Sequence, residues 1–312
     1  MIFLILLGIA GGVFTFLQTT INSRLRGHVE SPYLSSFISF AIGTVLLSVI
    51  CIGGGGQLIP TAAQNEMIPW WAYLGGFVGM IVMTVYILLF PILGGVQTVA
   101  MPIFGQIIMS VLVDNFGWFG AQKRAMGIWN VIGVLILIVG VFTVVMLPDI
   151  RESKGKQNAG DKKKNKWIWQ IVAVMAGMIL AIQVAVNGYL GQQLHSPMQS
   201  AAISLGIGLI ILFVINVCQR SWKNLALLKK KKAPVWTYIG GVFGAIYIFL
   251  NAYLAPQLGT GTVVVFALVG QMISSLIIDN FGLLGAVRRK VTGIQISGLV
   301  IMLVGVTVIK LM

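Results

Sequence analysis

Apolar stretches of about 20 residues, separated by short polar breaks, run along the whole of this chain. They fall near residues 2–22, 33–52, 71–90, 95–113 and 128–147, and again near 167–187, 198–218, 236–254, 260–278 and 293–311. Each is close to the ~20 residues that a helix rising ~1.5 Å per residue needs to cross a hydrocarbon core. None alternates as a membrane strand would, so the pattern predicts ten transmembrane helices and no barrel. Pro91 with Gly94 and Gly95, and Pro256 with Gly259, leave room only for a tight connection, so a hairpin is expected at each place. The first stretch has no basic segment ahead of it and no small-residue cleavage site, and it is expected to stay as a helix.

The two sets of five are copies of one unit. A shift of 165 residues, without gaps, carries Gln18 to Gln183, Asn22 to Asn187, Ser31-Pro32 to Ser196-Pro197, and Gly75, Gly76 and Gly79 to Gly240, Gly241 and Gly244. It also carries GQIIMSVLVDNFG at 105–117 onto GQMISSLIIDNFG at 270–282. The organisation expected is a first five-span repeat over 1–147, a basic linker over 148–165 and a second repeat over 166–312. With an odd number of spans per copy, the second enters the membrane from the opposite face, so the fold expected is an all-α polytopic membrane protein of two inverted five-helix repeats.

Charge sets the orientation. On alternating sides, eighteen basic residues collect on one face, including the six of 220–232 and the seven of 151–166, against three on the other. The positive-inside rule makes the eighteen-residue face cytoplasmic and puts both termini outside. The net charge of +14 is therefore a topology signal, with no basic stripe of the kind that binds nucleic acid. Cys51 and Cys218 have no metal-ligand spacing and are expected to be buried free thiols. No Ser-His-Asp, HExxH or phosphate-loop pattern occurs, so no enzyme, ATP-driven pump, metal or cofactor is expected.

Gln-x-x-x-Asn late in the first span, Ser-Pro opening the second, and Gly-Gln-x-x-x-Ser-x-x-x-Asp-x-Phe-Gly after the fourth, all present twice, resemble the YdcZ-type branch of the drug/metabolite transporter superfamily. The likeness is to the fused, two-repeat form and covers nearly the whole chain. It implies a bacterial inner-membrane exporter of a small molecule, able to function as a monomer because both repeats share one chain. Ten-span members of that superfamily commonly keep their termini inside, whereas the charges here put them outside.

Polar side chains within spans are costly unless they face protein or water, which narrows the candidates for a substrate site. Gln18 and Asn22, and Gln183 and Asn187, share a helical face by their spacing of four. Gln106 and Gln271 lie two turns inside their spans and offer carboxamides to a polar ligand; the alternative is an interhelical hydrogen bond. Tyr86 and its counterpart Asn251 break the repeat symmetry and join the candidate set. Asp114 and Asp279 stand at span ends, before Asn-Phe-Gly. They are expected to accept backbone N–H groups and cap the short segment that follows, with a proton-carrying role as the alternative. No acidic residue lies deeper in any span, which favours a neutral or weakly charged substrate moved by alternating access. A lipid-handling or scaffolding membrane subunit is the second reading, and the coupling ion is left open.

Overall fold

A computed structural model describes residues 2–121, 123, 127–153, 166–286, 288 and 292–311. Among the described residues ten long helices dominate: α1 (Ile2–Val29), α2 (Pro32–Gly53), α3 (Gly75–Leu93), α4 (Gly95–Phe116), α5 (Ile128–Ser153), α6 (Lys166–Gln193), α7 (Pro197–Cys218), α8 (Gly240–Leu258), α9 (Thr260–Phe281) and α10 (Gly293–Leu311). Among the described residues there is no strand. Eight helices are long and apolar enough to cross a membrane, while α5 and α10 contribute the shorter apolar runs Val131–Gly140 and Gly293–Gly305.

The helix ends follow backbone chemistry more than hydropathy. The first apolar run stops at Asn22, yet α1 continues to Val29 because no glycine turn or proline intervenes before Ser31-Pro32. Glu30 then takes a left-handed conformation (φ 54°), and the Ser31 hydroxyl accepts from Leu34 N at 3.2 Å to open α2. The second copy repeats this at His195 (φ 51°) and Ser196, which accepts from Gln199 N at 3.2 Å. At the hairpins the left-handed glycines Gly94 (φ 78°) and Gly259 (φ 85°) make the turn that Pro91 and Pro256 prepare. Two expectations shift. Helix α5 runs to Ser153, into the segment assigned to the linker, whose remaining residues 154–165 lie outside the described residues together with Arg124, Arg289 and Lys290. Cys51 is buried, but Cys218, in the last turn of α7, is exposed.

The halves are interleaved. Helix α1 packs on α8 and α9, and by the same 165-residue offset α6 packs on α3 and α4; α2 lies against α7, and α5 against α10. Where Gly43 faces Leu205, Gly208 faces Phe40, and Asn216 Nδ2 donates to Tyr33 O at 3.2 Å, so α2 and α7 run antiparallel. Helices α5 and α10 do likewise: Gly140 faces Gly298 and Met302, and Gly305 faces Gly133 and Leu137. Four glycines set the tightest crossings. A Cβ on Gly12 or Gly270 would strike the backbone carbonyl of Ala267 or Ile9 between α1 and α9, and one on Gly177 or Gly105 that of Pro102 or Val174 between α6 and α4.

Candidate functional site

In α1, Thr15, Gln18, Thr19 and Asn22 are spaced three and four apart, so they form a polar stripe along one face of the helix. The threonines satisfy themselves: Thr15 Oγ1 donates to Gly11 O at 2.9 Å and Thr19 Oγ1 to Thr15 O at 3.0 Å. Gln18 has no such local partner and reaches inward. Opposite stands Gln183 of α6, with Tyr86 of α3 and Tyr247 of α8 completing a cavity of about 30 Å³, floored by Met83 and Leu180. A space of that size holds a water or two. Both halves contribute to it, and each tyrosine enters without a repeat-related twin, since the offset pairs Tyr86 with Asn251 and Tyr247 with Val82.

The other candidates surround this cavity. Gln106, 1% exposed, stands behind Tyr86 and donates from Nε2 to its hydroxyl at 3.4 Å. Gln271 is buried in the corresponding place, with Asn251 where Gln106 has Tyr86, and its Nε2 finds no acceptor among the described residues. Asn251 lies one turn after Tyr247, whose hydroxyl is within reach of both Asn251 and Thr15. Asn22 and Asn187 do not reach the cavity wall: Asn22 Nδ2 donates to Ser39 Oγ at 2.9 Å, and the Oδ1 atoms of the two asparagines press on Gly240 and Gly75. The glycine pairs Gly75/Gly79 and Gly240/Gly244 thus serve as seats for Asn187/Gln183 and Asn22/Gln18. Thr15 and Thr19 escape a search for single strongly polar residues; the three-four spacing of the α1 stripe is the signal that would have found them.

Two larger pockets flank the cavity, about 190 and 180 Å³ in volume. One is bounded by the end of α1 (Thr20, Ser23, Arg24, Gly27), the α3–α4 hairpin at Pro91 and Gly94, and the corner Leu284-Gly285-Ala286 with Asp279. The other is its image under the 165-residue offset: Ala185, Gly188, Tyr189 and Gln192 of α6, the α8–α9 hairpin at Pro256 and Gly259, and the corner Phe119-Gly120-Ala121. They lie at opposite ends of the bundle. Asn22 meets Gly240 and Gln18 meets Gly244, while Gly11 meets Leu250, so α1 and α8 are antiparallel and their C-terminal ends, one in each pocket, point apart.

The Asp-Asn-Phe-Gly corners close these ends. Gly117 (φ 68°) and Gly282 (φ 64°) terminate α4 and α9, and Phe119 (φ 56°) and Leu284 (φ 54°) hold left-handed conformations that cost a side-chain-bearing residue ~1–2 kcal/mol. The Asp114 carboxylate accepts from Gly261 N at 3.2 Å, in the first turn of α9. The carboxylate thus accepts a backbone N–H, as expected, from a helix of the other half. Asp279 is buried beside Gly94 in the corresponding pocket. Near it, Arg288 donates from Nε to Asn280 O at 3.1 Å. Asp114→Ala is expected to lower stability by about 1 kcal/mol through loss of this cap. Asp114→Asn, which keeps an oxygen acceptor, should retain most of it and remain active. Thermal unfolding read beside transport checks both, and an Asp114→Asn variant with unchanged melting but no transport would make the carboxylate a proton carrier.

Two interleaved copies around a shared cavity, with a pocket at either end, define a multi-pass membrane protein of transporter-like build. The chain belongs to the family described as "Putative inner membrane exporter, YdcZ", which matches residues 3–143 and again 168–308. It is 23% identical to the inner membrane protein YdcZ of Escherichia coli (strain K12) over 141 residues, 44% of this chain and 90% of that protein. It also shares its fold with a protein of known crystal structure at a TM-score of 0.61 and 14% identity, over 97% of this chain and 96% of that one.

Proposed function

We propose that the protein is a secondary transporter, working as an exporter of a small polar molecule, neutral or weakly charged, by alternating access. Ten helices span the plasma membrane as two inverted five-helix repeats over 1–147 and 166–312, with the basic linker in the cytoplasm and both termini outside. One observation carries the reading: a cavity built by both halves, with Gln18, Gln183, Tyr86 and Tyr247 in its wall, lies between two repeat-related pockets that open at opposite ends. Gln18, Gln183, Tyr86 and Tyr247 form the substrate site. Gln106, Gln271 and Asn251 hold its walls in register, and Asn22 and Asn187 anchor the helices that carry it.

Single cysteines at Gly27 and Gln192, in a background without Cys51 and Cys218, test the topology. In sealed vesicles they should react with an impermeant thiol reagent from opposite sides, Gly27→Cys from the cytoplasmic side; reaction from the same side would overturn the inverted arrangement. A compound that raises the melting temperature of the purified protein should then show saturable counterflow in liposomes, whereas flux rising linearly with concentration would indicate a channel.

A further inference from the structure

The two end pockets match in backbone but differ in chemistry. In one, the Tyr189 ring lies over Gly120 and against Trp71, with ring centroids 4.8 Å apart, and Phe119 completes an aromatic cluster, 5.6 Å from Trp71. None of the described residues lining that pocket is charged. In the other, the residue in the place of Tyr189 is Arg24, whose Nε would lie 3.0 Å from a Cβ on Gly285. The guanidinium therefore stacks on the corner and faces the pocket. No carboxylate among the described residues lies within ion-pair distance of it. Glu30, the acid nearest in sequence, is held by Lys231 Nζ at 2.5 Å. Asp279 shares the pocket but is 3% exposed.

We propose that this pocket is a loading subsite for an anionic group, a carboxylate or phosphate, that Arg24 draws to the cytoplasmic mouth, and that the described residues lining the aromatic pocket at the far end offer no counterpart. The proposal rests on the transporter reading and narrows its substrate class to molecules bearing one negative charge. An exposed guanidinium with no ion-pair partner raises the local anion concentration and offers a planar fork of donors to a carboxylate or phosphate. An ungated Arg24 on one face only cannot by itself drive net transport. It strengthens loading on that face, and the described residues lining the opposite pocket carry no charge that would hold the anion during release.

The test reads the pocket without needing the substrate. In the cysteine-free background, Gly27→Cys is probed with an anionic and a cationic methanethiosulfonate reagent, with Arg24 present and as Arg24→Gln. A unit charge across about 6 Å of water changes the local concentration of a monovalent ion about threefold, in opposite senses for the two reagents. The anion-to-cation rate ratio should therefore fall about tenfold in Arg24→Gln. At Gln192→Cys the same substitution should change nothing. Benzoate should slow the reaction at Gly27→Cys and benzamide should not, which identifies a soluble anion. Slowing by phosphatidylglycerol in nanodiscs, but not by benzoate, would assign the same subsite to a lipid phosphate. A rate ratio indifferent to Arg24 would overturn the proposal. That failure is separable from a failure of the transporter reading, which is decided by counterflow.

Discussion

Gly12→Leu is expected to leave little folded protein. At the α1–α9 crossing a Cβ on Gly12 would overlap the Ala267 carbonyl oxygen, and the Ala267 Cα would lie 2.8 Å away. The obstacle is backbone within a packed helix, not the mobile end of a side chain, so relief requires the helices to separate. Separation would break the core cluster that joins Phe16 of α1 to Val264, Val265 and Leu268 of α9. Overpacking in a close-packed interior costs about 1–3 kcal/mol where side chains can adjust and more where they cannot. The offset gives Gly177 the same position against Pro102, and Gly177→Leu should fail in the same way. Gly27→Leu is the control, because nothing lies within 4 Å of a Cβ there. Fluorescence-detected size-exclusion chromatography of membrane extracts checks all three. A monodisperse Gly12→Leu protein would show that the α1–α9 crossing is looser than drawn.

Much of this arrangement is written in the sequence, because a bilayer makes length and polarity decisive. The 165-residue offset found in the residues returns as reciprocal packing, and the Pro91/Gly94 and Pro256/Gly259 hairpins stand where their turn chemistry puts them. Hydropathy failed at the far ends of α1 and α6, which continue past Asn22 and Asn187. Polarity marks where the chain can leave lipid, whereas a helix stops only where its backbone is broken, at Ser31-Pro32 and Ser196-Pro197. The pairing of glycine with amide was also hidden. Gly79 and Gly244 read as generic close-approach positions, and only tertiary structure reveals that they receive Gln183 and Gln18. Gln106 looked like the deepest polar residue and is one of the most buried, but depth along a helix says nothing about which face it presents. The tyrosine that covers it, Tyr86, is the group that reaches the cavity.

That ordering fixes the last expectation. Gln18→Leu combined with Gln183→Leu should reduce counterflow by at least tenfold while leaving folding intact. Leucine is close to glutamine in size, and exchanging buried amides for apolar groups of similar shape is nearly neutral for stability when no partner is left unsatisfied. No hydrogen bond from either carboxamide to another described side chain stands to be lost, since both lie along the glycine faces of α8 and α3 and open onto the cavity. A polar ligand loses more, because its own groups would be desolvated against hydrocarbon, at ~1–3 kcal/mol for each missing bond. Gln106→Leu acts one step removed: it strips the Tyr86 hydroxyl of a donor and should weaken transport less, with partial rescue in Tyr86→Phe, where no hydroxyl remains to be satisfied. Counterflow beside melting temperature separates these outcomes. If Gln106→Leu and Gln271→Leu abolish transport while the Gln18/Gln183 double variant runs at the native rate, the substrate sits behind the tyrosines and the cavity between the two glutamines is packing space.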